Sequence, residues 1–201
     1  VETAKLLIEF MARYRDEFGS ELAELDLGGG FGIAYVDGDQ PNSVSEIMET
    51  IHEVVNSTCT AASLRIPKIS IEPGRALIGP AMFTLYEVGT IKEVVLDNGN
   101  IRTYISVDGG MSDNIRPSLY NAIYTARLAN RTSNSTTRDS RVVGKHCETG
   151  DILISEIDLP YDVVAGDLIA VAATGAYNRS MASNYNHVPR PPVIAVKNGK
   201  A

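Results

Sequence analysis

Leu22-Ala23-Glu24-Leu25-Asp26-Leu27 runs straight into Gly28-Gly29-Gly30-Phe31-Gly32, and Ile69-Ser70-Ile71 runs straight into Glu72-Pro73-Gly74-Arg75. Each is a short apolar-centred segment stopped by a Gly- or Pro-containing turn, the pattern of a buried strand with an abrupt end. A helical pattern lies between them. After the polar turn 37–42, Ser43 and Glu46 make the S-x-x-E signature of a capping box. Val44, Ile47, Met48, Ile51, Val54 and Val55 then recur at helical spacing. Upstream, Ala4, Leu7, Ile8, Met11 and Phe18 predict an amphipathic helix over 1–18, with Gly19 as its stop. Residues 1–75 therefore alternate helix, strand, helix, strand, which marks a parallel α/β sheet or barrel. In a (β/α) barrel the strand ends form the active face, and closure takes about eight strands. Residues 1–80 are expected to be the last strands of such a TIM barrel, with a small open sheet as the alternative.

The rhythm changes after residue 80. Segments 82–96, 102–107, 142–145, 152–157 and 168–173 are rich in β-branched and aromatic residues. Asp97-Asn98-Gly99-Asn100 is a hairpin signal. Residues 118–131 fit either helix or strand, and 132–140 is polar and low in complexity, which predicts a mobile loop. Residues 81–201 thus form a second, all-β domain, a barrel or sandwich.

Bulk properties narrow the function. The 201 residues carry a net charge of −7, which argues against a nucleic-acid partner. No run of about 18 apolar residues is present to span a membrane. Cys59 and Cys147 form neither a disulfide framework nor a C-x-x-C knuckle, which fits a reducing cytoplasm. His52, His146 and His187 lack metal-ligand spacing, so no metal is assigned.

Five segments carry candidate chemistry. The glycine turn 28–32 can bring backbone N–H groups to an anion such as phosphate, or can simply be a tight βα turn. In Glu72-Pro73-Gly74-Arg75, Gly74 and Arg75 offer further N–H groups and Arg75 can grip a carboxylate; a structural ion pair at Glu72 is the alternative. Within 107–120, Arg116 and Tyr120 are spaced to meet as a carboxylate clamp if the segment coils, or else belong to a surface loop. In 144–151, Cys147 stands between His146 and Glu148, which suits acid–base work, although a partly buried ordinary cysteine is the blander reading. Gly175-Ala176-Tyr177 ends an apolar strand, where Tyr177 either bonds a ligand or caps the core.

In this order, GGGFG, EPGR, VDGGMSDNIRPSLY, GKHCETGD and GAY resemble the fold-type III decarboxylases that use pyridoxal 5′-phosphate. The GMSDNIRP and CETGD wording is similar to the diaminopimelate decarboxylases among them. The resemblance implies a C-terminal portion of such an enzyme. Gly30, Glu72, Pro73, Gly74, Arg75 and Tyr177 would bind the cofactor, with Glu72 at its pyridine nitrogen. Arg75, Arg116, Tyr120, Glu148 and Tyr177 would bind substrate, with Glu148 at the distal amine. Cys147 would be the proton donor. The expected reaction is decarboxylation of meso-2,6-diaminopimelate to L-lysine and CO₂, in a cytoplasmic homodimer whose active sites are shared between subunits. The lysine that bonds the cofactor and the histidine that stacks on it would lie ahead of Val1, so this chain alone is expected to be inactive. An ornithine- or arginine-type decarboxylase, or a non-catalytic regulatory relative, is the alternative.

Overall fold

A computed structural model describes residues 1–201. The chain divides into two compact units: Val1–Ile33 with Gln40–Leu77, and Ala34–Asp39 with Ile78–Ala201.

The first unit runs α1 (Glu2–Phe18), β1 (Glu24–Asp26), α2 (Val44–Ala61), β2 (Lys68–Ser70), and then the short α3 (Gly74–Ile78). β1 and β2 are parallel, with Leu25 opposite Ile69, and a parallel pair requires a crossover, which α2 supplies. Ile8 and Met11 of α1, Val55 and Cys59 of α2, and Leu25 of β1 share one buried cluster. Burying each aliphatic side chain of this size contributes about 2 kcal/mol.

Local chemistry sets the helix ends. α1 stops where Gly19 turns left-handed (φ 67°) and donates its N–H to the Arg15 carbonyl at 2.8 Å. α2 opens with the expected capping box: Ser43 N–H donates to Glu46 Oε2 at 2.8 Å and Glu46 N–H to Ser43 Oγ at 3.2 Å. The last turn of α2 has no basic residue of its own. Arg15 of α1 reaches over to donate to the carbonyls of Ala62 (2.7 Å) and Ser63 (3.1 Å), placing a cation at the negative end of α2.

The second unit contains β3 (Thr84–Val95), β4 (Ile101–Val107), α4 (Arg116–Tyr120), β5 (Ala126–Leu128), β6 (Thr137–Val143), β7 (Ile152–Pro160), β8 (Leu168–Val171) and α5 (Asn178–Met181). The strands form one six-stranded sheet in the order β5-β8-β3-β4-β6-β7. β4 and β6 are parallel; every other pair is antiparallel. β3 serves both halves of the sheet. Its start, through Glu87, pairs with β8, and its remainder pairs with β4. The register shifts between Val88 and Ile91. There the Ser106 hydroxyl accepts from the Thr90 N–H (2.8 Å) and donates to the Thr90 carbonyl (3.0 Å). A bulge of this kind bends its strand. The edge strands β5 and β7 come into contact, so the sheet curls toward a barrel. Ile105, Val142, Leu153, Ile169 and Val171 lie in its core.

The β3–β4 hairpin turns at the expected place. Gly99 takes φ 83° and donates to the Leu96 carbonyl at 2.8 Å. Two expectations need correction. The polar stretch 132–140 is not a mobile loop: from Thr137 it is β6, an interior strand paired on both sides. Its arginines cover aromatic faces, Arg138 over Tyr161 (4.4 Å to the ring centre) and Arg141 over Tyr104 (5.5 Å), so polar side chains do the packing work of apolar ones. The remainder is tied down by Ser133 Oγ donating to Asp162 (2.7 Å) and by Tyr161 N–H donating to the Thr136 carbonyl (2.8 Å). Residues 118–131 are both helix and strand, the end of α4 and then β5.

Candidate active site

In the first unit the two turns after β1 and β2 are joined. Glu72 N–H donates to the Gly28 carbonyl at 2.7 Å, and a Cβ on Gly29 would stand 2.5 Å from the Glu72 carbonyl oxygen. Only glycine at 29 lets the turns meet this closely. Gly28 and Gly30 take positive φ, 68° and 90°. The N–H groups of Gly29, Gly30 and Phe31 donate to nothing within the chain. Glu72 is exposed and enters no ion pair, so the structural-pair alternative falls. Gly74 and half-buried Arg75 begin α3 directly after Pro73.

In the second unit Arg116 is a buried residue, 8% exposed, at the start of α4. Nη1 donates to the hydroxyls of Tyr124 (2.7 Å) and Tyr35 (2.9 Å). The rings of Tyr35, Tyr177 and Tyr124 stand 5.2, 5.5 and 5.8 Å from its Cζ. No carboxylate pairs with it, and Nε and Nη2 donate to nothing within the chain. Burial opposes the charge, but the Tyr124 and Tyr35 hydroxyls outweigh it and the pKa is raised. Tyr120 is not brought to Arg116. It is 61% exposed at the last residue of α4, where left-handed Asn121 (φ 52°) ends the helix. Sequence reasoning missed Tyr35, Tyr124 and Asn178, whose Oδ1 accepts from the Tyr124 hydroxyl at 3.4 Å.

The segment around Cys147 is held by one carboxylate. Asp151, buried, accepts from the N–H groups of Met111 and His146, both at 2.6 Å. A Cβ on Gly110 or Gly144 would stand 2.5 or 2.3 Å from its oxygens, so both glycines make room for it. His146 Nε2 shares a hydrogen bond with the Ser112 hydroxyl (2.8 Å). Beyond this anchor Cys147 and Glu148 are exposed, so the reading of Cys147 as a partly buried ordinary cysteine is corrected. Tyr185, also missed, donates its hydroxyl to Glu148 Oε1; this bond comes first in raising the tyrosine's pKa.

The turn 173–177 is strained. Ala173 and Tyr177 both take positive φ (57° and 72°), rare for side chains of this kind. Gly175 between them donates to the Gly79 carbonyl at 3.1 Å, and a Cβ there would overlap the Ile78 carbonyl at 1.8 Å. The close approach needs glycine, and it fixes Tyr177 beside Arg116.

Residues 1–79 match the pyridoxal-binding domain of the pyridoxal-dependent decarboxylases, and residues 77–175 match their C-terminal sheet domain. The chain belongs to that family. Within it, the chain is 50% identical over 198 residues to the diaminopimelate decarboxylase of Corynebacterium efficiens, covering 98% of this chain and 43% of that one. It is 47% identical over 201 residues to the diaminopimelate decarboxylase of Bacillus subtilis, covering 100% and 45%. A crystal structure of diaminopimelate decarboxylase from M. jannaschii in co-complex with L-lysine superposes with a TM-score of 0.84 at 29% identity, over 94% of this chain and 41% of that one. The chain thus spans less than half the length of these relatives. Its fold is that of the family: the last strands of the barrel, then the β domain.

The cofactor of the family is pyridoxal phosphate, and the first unit fits its charges. The unpaired N–H groups of Gly29, Gly30 and Phe31 suit a phosphate, and the unpaired Glu72 carboxylate suits a protonated ring nitrogen. No helix is long and apolar enough to cross a membrane.

Proposed function

We propose that the protein containing this chain decarboxylates meso-2,6-diaminopimelate to L-lysine and CO₂ with pyridoxal phosphate. The observation that carries the reading is Arg116: a buried guanidinium whose partners are hydroxyls rather than carboxylates. A mostly enclosed guanidinium with no carboxylate of its own chain beside it, and with two nitrogens left to donate, is a receptor for a ligand anion. A diamino diacid supplies that anion as its distal carboxylate; ornithine and arginine have none.

The bound cofactor supplies the electron sink for the pair left when the Cα–CO₂ bond breaks. Gly30, Gly74 and Arg75 hold its phosphate, Pro73 shapes that turn, and Glu72 keeps its ring nitrogen protonated. Arg75 also serves substrate. Arg116 holds the distal carboxylate through Nε and Nη2. Tyr177, fixed by its strained turn, packs against this guanidinium and touches cofactor and substrate. Glu148 receives the distal ammonium on Oε2, while Tyr185 occupies Oε1. The Cys147 thiol gives a proton to the carbon that has lost CO₂, and solvent restores it. Tyr120, outside the Arg116 enclosure, serves substrate from the surface.

Exposure of Cys147 and Glu148 supports a homodimer in which these two residues complete the partner's active site. Residues 1–80 are assigned to the cofactor-binding barrel and 81–201 to the β domain. Two free cysteines fit a cytoplasmic setting. The test is CO₂ release by the intact protein with pyridoxal phosphate. kcat/KM for meso-diaminopimelate is expected to exceed that for L-ornithine by at least about a hundredfold, the scale set by leaving a buried polar group unpaired. Equal or better turnover of ornithine overturns the assignment; no turnover of either favours a regulatory relative.

A further inference from the structure

Arg116 differs from an ordinary buried arginine in what it donates to. Tyr124 is almost fully buried, and its hydroxyl accepts from Arg116 Nη1 at 2.7 Å. A phenol oxygen that accepts there directs its own proton elsewhere, and Asn178 Oδ1, 3.4 Å away, takes it. Asn178 is itself buried, with Nδ2 unpaired. Tyr35 supplies the second acceptor at 2.9 Å, from the segment Ala34–Asp39. That segment is braced by Asp39, whose Oδ2 accepts from the Tyr35 and Val36 N–H groups at 2.8 and 3.1 Å. The two rings meet edge-on at 5.3 Å, closing the wall beside the guanidinium.

Every protein acceptor on Arg116 is therefore neutral. A carboxylate in place of either hydroxyl would hold the guanidinium as firmly and cancel its charge. The hydroxyls orient one nitrogen and leave the charge, with Nε and Nη2, for a ligand. We infer that Tyr35 and Tyr124, with Asn178 behind Tyr124, are positioning residues that hold Arg116 as an un-neutralised receptor for the distal carboxylate. They set preference for ligands that carry it. The inference rests on the reading of Arg116 as that receptor.

Two ligands isolate the effect. L-Lysine retains the distal carboxylate after the reacting one has left; pentane-1,5-diamine is the same molecule without it. The ratio of their inhibition constants in the intact holoenzyme reads recognition of that carboxylate alone. Because both constants come from one sample, the ratio is independent of how much of a variant is folded. Tyr124→Phe and Tyr35→Phe each remove one oxygen. Each is expected to reduce the preference for L-lysine by about five- to tenfold, the scale of one ordinary hydrogen bond, because the guanidinium keeps its other acceptor. Arg116→Met is expected to abolish the preference. If Arg116→Met abolishes it while both Tyr→Phe variants keep the wild-type ratio, the positioning role is overturned and the assigned reaction stands. If Arg116→Met itself keeps the ratio, Arg116 is not the receptor, and the inference falls with that reading.

Discussion

Two arginines of the second unit face opposite fates. Arg131 grips Asp167 through Nε (2.9 Å) and Nη2 (2.8 Å), reaches Asp162 Oδ2 with Nη1 (3.0 Å), and also donates from Nη2 to the Asp162 carbonyl (2.6 Å). Asp167 is buried, and the bond from Arg131 comes first among the causes holding its carboxyl far below the usual range. Here charge is cancelled inside the fold, and the result is a clasp between the loop before β6 and the turn before β8. Arg116 is more deeply buried than Arg131 yet meets only hydroxyls and rings. The difference separates a cation that serves the fold from one that is kept for a ligand.

The sharpest way to break the comparison is to remove each cation by methionine. Arg116→Met leaves no orphaned carboxylate, so the intact protein should melt within about 3 °C of wild type. Its kcat/KM for meso-diaminopimelate should fall by about a thousandfold, the loss of two charged hydrogen bonds. Arg131→Met strands Asp167, so its melting temperature should drop by roughly 5 °C or more, with activity per folded molecule retained. If the Arg116 variant melts as low as the Arg131 variant, both arginines are structural and the distinction disappears.

Acid should expose the clasp and leave the receptor untouched. The folded pKa of Asp167 is depressed, so its contribution to stability is complete above the unfolded value of about 3.9 and is lost as pH falls through the folded value. Asp167→Asn should thus be less stable than wild type at neutral pH, by on the order of 2 kcal/mol for a charged hydrogen-bond pair. Urea titrations at falling pH should find that gap constant down to about pH 4 and narrowing below it. A gap that stays constant through pH 3 would remove the carboxylate from the account. Arg116, whose pKa is raised, should hold its charge throughout.

The two arginines were unequally legible in the sequence. Local signals did well: the Ser43–Glu46 box, Gly19 as a stop and the turn at Gly99 depend on neighbours a few residues away. The first part of β6 was missed, although its end at Val142 and Val143 was read as strand, because its interior position depends on partners from β4 and β7 and its Thr-Arg-Asp-Ser wording resembles a loop. Arg116 stood out by motif, but its spacing suggested Tyr120 as a partner. Burial chose instead Tyr124, eight residues on, and Tyr35, 81 residues back. Helical spacing holds only while a helix lasts, and α4 is five residues long; it does not state which distant residues the fold brings in. Asp151 was unreadable for a similar reason, since its role appears only where Gly110 and Gly144 leave room for it.

The subtlest test turns one arginine partway into the other. Asn178→Asp keeps shape and lets Tyr124 go on donating, but adds a carboxylate one hydroxyl away from Arg116. Its charge should partly neutralise the receptor, as Asp167 neutralises Arg131. The preference for L-lysine over pentane-1,5-diamine should fall by about threefold at neutral pH, small because burial favours the protonated, amide-like form of the introduced acid. The sign of the pH dependence is then fixed. Lowering the pH protonates that acid and restores the preference toward the wild-type ratio; raising it deepens the loss. A preference unchanged from pH 6 to 9 would show that charge near Tyr124 does not reach the ligand, and the neutrality of the acceptors around Arg116 would then have no bearing on recognition.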